Sequence, residues 1–104
     1  MWIVLNNSFL SIVKNRNNDD ELLVRARVKG DIEKIFSNAD VFTDDNADYK
    51  YRSYINRKIV ASKISENLLN IDYDNFKNSV SKNDVMRSNA YMSVWSALHK
   101  IQNN

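Results

Sequence analysis

Residues 22–29, Leu-Leu-Val-Arg-Ala-Arg-Val-Lys, contain the pattern that decides the fold. The even-numbered positions carry apolar side chains, and the odd-numbered positions from 25 onward carry cations. Successive side chains of a β-strand point to opposite faces of its sheet. The alternation therefore predicts a strand with one face in the core and a cationic face opposite.

Two shorter β-type runs precede this strand. Residues 2–5 and 9–13 are mostly apolar, and Asn6-Asn7-Ser8 between them is typical of a tight hairpin turn, because such residues tolerate positive φ angles. Residues 14–20 are polar and predict a loop. We therefore expect a β-hairpin, then a loop, then the strand at 22–29.

Three further elements are predicted downstream. Gly30 and Asp31 can cap a short helix that ends near Asn38 and whose apolar residues fall at helical spacing: Ile32, Ile35 and Phe36. Residues 41–43 and 49–55 read as two strands around an acidic turn.

Beyond residue 56 the apolar spacing changes from two to three or four, which indicates helices. Asn56 is a predicted N-cap, followed by the stripe Val60, Ile64, Leu68 and Ile71. Asp72 is predicted to cap a shorter helix with Phe76 and Val80. Ser81 and Asp84 match a capping box that opens a last helix to about Gln102. That helix is expected to bury two adjoining faces, because its apolar residues are Met86, Ala90, Tyr91, Val94, Trp95, Ala97, Leu98 and Ile101.

The predicted fold class is α+β in a single domain spanning residues 1–104. An N-terminal antiparallel sheet of about five short strands, with one short helix inserted, is expected to pack against a C-terminal segment of three helices. The 43% hydrophobic residues favour a folded chain, and no apolar run reaches the roughly 18–20 residues of a membrane span. Without a recognisable leader or any cysteine, a cytoplasmic location is expected.

Several kinds of site are disfavoured by residue type. His99 is the only histidine and cysteine is absent, so neither a zinc site nor a Ser-His-Asp triad is expected. Residues 44–48 resemble the start of a calcium loop, but Tyr49 stands where glycine belongs and Ile55 where glutamate belongs. Gly30 is the only glycine, which excludes a phosphate-cradling glycine loop. Paired loop carboxylates for glycoside hydrolysis stay open, since such pairing is spatial. We expect no catalytic residue, metal or cofactor.

A basic face is the first candidate binding surface. If the strands at 22–29 and 49–55 are neighbours, their outward side chains form one cationic surface with an aromatic ring: Arg25, Arg27, Lys29, Lys50, Arg52 and Tyr54. Such a surface would fit a nucleic-acid backbone or an acidic protein. Two simpler interpretations stay open, namely that the cations only solvate an open sheet face or that helices cover them.

Two acidic loops form a second, weaker candidate surface. One contains Asp19, Asp20 and Glu21, and the other contains Asp44, Asp45 and Asp48. Suitably spaced carboxylates can imitate phosphates and occupy a basic channel. Ordinary polar loops are the alternative.

Five segments resemble a family of small uncharacterised bacterial and mobile-element proteins: residues 9–13, 24–27 with 30–32, 48–52, 71–77 and 91–95. The resemblance implies no assigned activity and no site residues. A looser likeness to phage anti-CRISPR proteins rests on size and style alone.

Two functions are therefore expected as alternatives. The first is a non-enzymatic protein-interaction module, encoded by a phage or mobile element, that inhibits a nucleic-acid-acting host defence complex. The second is direct binding of DNA or RNA by the basic, aromatic-containing sheet face. The net charge of +2 is too small for the whole molecule to act as a polycation, so either function needs a local surface.

Overall fold

Five antiparallel strands form one sheet in the first part of the chain. The computed structural model describes residues 1–102. The strands are β1 (Trp2–Val4), β2 (Phe9–Lys14), β3 (Glu21–Ala26), β4 (Phe42–Thr43) and β5 (Tyr51–Asn56). Their order across the sheet is β1-β2-β3-β5-β4. The α+β fold class, the predicted hairpin and the adjacency of the two longer strands are thereby confirmed.

The chain divides into two compact units, Met1–Ile71 and Asp72–Asn104. The first unit contains the whole sheet together with α1 (Asp31–Ile35) and α2 (Arg57–Leu69). The second contains α3 (Phe76–Ser79) and α4 (Val85–Gln102). The expectation of one domain over residues 1–104 stays a prediction.

Two strands are shorter than predicted. β3 ends at Ala26 because the Asp31 N–H donates to the Val28 carbonyl at 3.2 Å, which turns residues 27–30 toward α1. β5 starts at Tyr51, since the Asp44 N–H already closes the acidic turn on the Lys50 carbonyl at 2.9 Å. Residues 27–29 and 49–50 therefore lie outside the ladder. No non-glycine residue in the described chain has a positive φ, so the Asn6–Ser8 turn does not use that region.

One face of the sheet, called the inner face, carries the core. Its side chains come from alternate strand positions and are covered by α1 and α2. The buried apolar residues are Leu10, Ile12, Val24, Ala26, Ile32, Ile35, Phe36, Ile55 and Val60. The opposite side, called the outer face, carries the odd-numbered side chains of β3. The alternation in residues 22–26 thus places the core as predicted.

α1 has only five residues. Isolated helices shorter than about 12–15 residues are marginal in water, so α1 depends on burial for its stability. Ile32 and Asp31 are both fully buried. The Asp31 Oδ2 accepts a hydrogen bond from the Phe9 N–H at 3.0 Å, and the Asp31 carbonyl accepts from the Ser8 hydroxyl at 3.0 Å. α1 is therefore attached to the β1–β2 turn by polar contacts and to the core by apolar ones.

Gly30 is the N-cap of α1 and has φ 93° and ψ −15°, in the left-handed region. A Cβ added there would meet no atom within 4 Å, so only backbone strain opposes a side chain. We expect Gly30→Ala to lower the free energy of unfolding by about 1–2 kcal/mol. Gly30→Asn should lower it less, because asparagine tolerates this conformation better. Denaturant unfolding of both variants tests this, and equal losses would contradict it.

α2 begins as predicted, with the Asn56 side chain accepting a hydrogen bond from the Lys58 N–H at 2.9 Å. Its apolar stripe is buried only near the start of the helix. Val60 is 4% exposed, whereas Leu68 is 65% exposed. α2 therefore contributes mainly its first two turns to the core.

The second unit is built around aromatic rings. Phe76 lies against Tyr73 and Tyr91, with ring centroids 5.9 Å apart in each pair. Arg87 is buried, and its guanidinium donates to the Asp84 carboxylate at 2.9 Å and to the Tyr91 hydroxyl at 3.1 Å. These contacts hold α3 and the first half of α4 together.

Three helix predictions need correction. Asn75, not Asp72, caps α3, because its side chain accepts from the Asn78 N–H. The Ser81 hydroxyl accepts from the Asn83 N–H and not, as a capping box requires, from the Asp84 N–H, and the Asp84 carboxylate instead accepts from the Arg87 N–H at the start of α4. Only Arg87 is buried on α4, so the expected burial of two apolar faces is wrong. Among residues 1–102 no helix is both long and apolar enough to cross a membrane.

Candidate functional site

The register of the sheet brings three of the six predicted basic-face residues together on the outer face. Arg25 of β3 lies directly opposite Arg52 of β5, and Leu23 lies opposite Tyr54. Directly paired residues of antiparallel strands share a face, at Cβ separations of about 5 Å. Arg25, Arg52 and Tyr54 therefore form one surface, as the alternation predicted.

A groove of about 400 Å³ opens on this face. It is called the cationic groove below, because its lining includes four basic residues and no carboxylate: Val13, Lys14, Asn15, Arg16, Asn17, Leu23, Arg25, Arg52 and Tyr54. None of its cations forms an ion pair with a carboxylate of residues 1–102. The groove thus holds positive charge that the described chain does not neutralise.

Arg25 is held rigidly at the centre of the outer face. Its Nη2 donates to the Ser11 hydroxyl at 2.6 Å, and its guanidinium lies 4.6 Å from the centre of the Tyr49 ring. Tyr49 is only 4% exposed, so the ring gives a fixed apolar support. Contacts of this kind orient a guanidinium without removing its charge.

Arg52 is half-buried and donates to the Tyr49 carbonyl at 3.3 Å. It therefore faces Arg25 across the ladder with neutral partners only. Like charges directly opposite each other destabilise a sheet. The register therefore keeps two cations directly opposite each other in the longest ladder of the sheet.

Two aromatic rings lie beside this pair on the outer face. Phe42 of β4 is opposite Arg52, and its ring stacks on Tyr54 with centroids 5.7 Å apart and planes 28° apart. Phe42 is 42% exposed and Tyr54 is 48% exposed. Phe42 and Tyr54, called the aromatic pair below, therefore present apolar ring surface next to the cationic groove.

The other three predicted basic residues lie outside the groove. Arg27 stacks on Tyr49 at 4.2 Å and donates to the Asp48 carbonyl at 2.8 Å. Lys50 forms an ion pair with Asp45 at 3.4 Å, and Lys29 lies exposed in the turn before α1. Their positions follow from the strand bounds, because β3 ends before Arg27 and β5 begins after Lys50.

Lys14 and Arg16 were missed as site residues. They lie at the end of β2 and in the loop that follows, where the sequence indicated only a polar connection. Their position beside Leu23 follows from the antiparallel pairing of β2 with β3, in which Val13 lies opposite Leu23. The signal that could have found them is the pair of cations at the end of one predicted strand and in the loop that leads to the next.

The two acidic loops lie at opposite ends of the β3–β5 ladder. Glu21 pairs with Asn56 at one end, and Ala26 pairs at the other end with Tyr51, which follows the second acidic loop. Six residues of strand separate the two loops by roughly 15–20 Å. The carboxylates of Glu21, Asp44 and Asp48 accept hydrogen bonds within the loops. The backbone carbonyls of Asp19 and Asp20 accept from Arg57 at the start of α2. Phosphate mimicry by both loops together stays a prediction.

Two further features bear on the kinds of site that the sequence disfavoured. His99 stacks on Trp95 with centroids 5.3 Å apart, and residues 1–102 contain no cluster of three or more metal-ligating side chains. No protein-family model, curated protein or solved structure matches the chain. The resemblances noted in the sequence stay predictions.

Proposed function

We propose that this chain is a non-enzymatic interaction module that binds a polyanionic partner in the cationic groove. The observation that supports this most is the Arg25–Arg52 pair, two opposed guanidiniums whose contacts are all with neutral groups. A bound anion would offset their repulsion. The free chain would then carry a small loss of stability that binding removes.

Both functions expected from the sequence are compatible with this site. An acidic protein of a defence complex and a nucleic acid each present closely spaced negative charges to a basic groove. The proposal therefore concerns the shared chemistry, which is recognition of a polyanion by preoriented guanidiniums. The aromatic pair, which a purely electrostatic site does not need, is treated separately below.

Heparin serves as a polyanion probe of the groove. We expect the wild type to bind heparin at roughly 50 mM salt and to be released steeply as salt rises, since each cation that is neutralised releases counterions. The double variant Arg16→Gln/Arg52→Gln should elute from a heparin column at clearly lower salt. Its thermal unfolding should be nearly unchanged, because relief of the Arg25–Arg52 repulsion offsets loss of the hydrogen bond from Arg52 to the Tyr49 carbonyl.

The matched control is Lys29→Gln/Lys58→Gln, which removes the same charge from two exposed lysines outside the groove. This control should elute close to the wild type. Equal losses in the two double variants would show that net charge alone decides binding, and the proposal would then fail. The proposal would also fail if the wild type did not bind heparin at low salt.

A further inference from the structure

The aromatic pair is an unusual feature for the exposed face of a sheet. Phe42 and Tyr54 each leave roughly half of their surface uncovered, although both are large rings. They support each other by stacking at 5.7 Å, so neither ring needs to reorient when a ligand arrives. The outer face thus offers a preformed apolar surface of ring size.

Cations lie on both sides of this surface. Arg52 is the direct cross-strand neighbour of Phe42 and lies two positions from Tyr54 on β5. Arg16 lines the groove on the side of the β2–β3 loop and makes no hydrogen bond or ion pair with residues 1–102. A ligand that covers the aromatic pair would therefore have its charged groups within reach of both guanidiniums.

Single-stranded nucleic acid is the polyanion that matches this combination. Its bases are free to stack on exposed rings while its backbone follows a basic groove, and every base has such a stacking face. A duplex hides its base faces, and an acidic protein surface gains little from two exposed rings. Resting on the proposed function, we infer that the groove binds a single strand, with bases on the aromatic pair and phosphates on Arg16, Arg25 and Arg52.

Fluorescence anisotropy with a labelled oligothymidylate of about 12 nucleotides tests the inference, since single-strand sites span about 4–16 nucleotides. The wild type should bind this single strand more tightly than it binds the duplex that the strand forms with oligoadenylate. Tyr54→Leu should weaken single-strand binding about tenfold through loss of stacking, and it should weaken heparin binding much less, because every cation of the groove is kept. Tyr54→Phe keeps the ring and should bind like the wild type.

The outcomes separate this inference from the proposed function. Heparin bound through the groove, with no preference for the single strand and no effect of Tyr54→Leu, would overturn the inference and leave the proposed function standing. Polyglutamate that displaces heparin better than the oligonucleotide does would also overturn it, in favour of an acidic protein. A wild type that does not bind heparin, or an Arg16→Gln/Arg52→Gln variant that binds it no more weakly than the lysine control does, would refute both the inference and the proposed function.

Discussion

Replacing Ile32 by alanine is expected to lower the free energy of unfolding by about 2–5 kcal/mol. Ile32 is fully buried and belongs to the core cluster, although it lies on a helix of only five residues. Its removal would leave a cavity beneath the sheet where α1 contacts β2, β3 and β5. Such a loss is a large share of the stability of a small protein.

Glu33→Ala is the matched control, because Glu33 is exposed in the same helix. It should change the unfolding free energy by no more than about 0.5 kcal/mol. Urea denaturation followed by circular dichroism measures both variants. Similar midpoints for the two would show that α1 contributes little to the core, contrary to the packing described above.

The second large effect is expected at Asp31. Its carboxylate is fully buried and accepts the hydrogen bond of the Phe9 N–H. Asp31→Ala would leave that partly buried donor without its acceptor and would remove a charge-assisted bond. We expect a loss of about 2–3 kcal/mol in the same denaturation measurement.

Two comparisons identify the cause of that loss. Asp31→Asn keeps an acceptor oxygen and should cost clearly less than Asp31→Ala. Lys34→Ala removes the ion pair with Asp31 at 3.6 Å and a hydrogen bond to the Asn7 carbonyl at 3.0 Å, but Lys34 is 44% exposed. That variant should cost under about 1 kcal/mol. An equally large effect of Lys34→Ala would show that the contacts of Lys34, and not the Phe9 hydrogen bond, account for the loss.

Strand identity was predictable because period-two alternation depends on neighbouring residues only. Val24 and Ala26 are buried while Arg25 lies on the other face, as the pattern required. Where each strand ends was not predictable in the same way. The turn that starts at Arg27 is set by the hydrogen bond from Asp31 to Val28, and Asp31 is held by Phe9 from another part of the chain.

The candidate site shows the same division. Arg25, Arg52 and Tyr54 were found from alternation along two strands, and their adjacency required only that those strands pair. Arg16 and Phe42 reach the site from a loop and from an edge strand, so only the sheet order brings them there. Tyr49, which supports Arg25, lies in a loop where no periodicity marks it.

α4 departs most from the prediction. Its apolar spacing indicated deep burial, yet Trp95 is 52% exposed and Ile101 is 67% exposed. Helical spacing shows which residues share a side of a helix, but it contains no information on whether another element covers that side.

The strand order also bears on how the chain folds. β1, β2 and β3 are neighbours in both sequence and space, so each can pair across a short loop. β5 pairs with β3 although α1 and β4 lie between them in the sequence. Closing this longer connection costs more chain entropy than closing the earlier loops. The first hairpins should therefore be native-like in the folding transition state, whereas the opposition of Arg25 and Arg52 is established only when the last central strand docks.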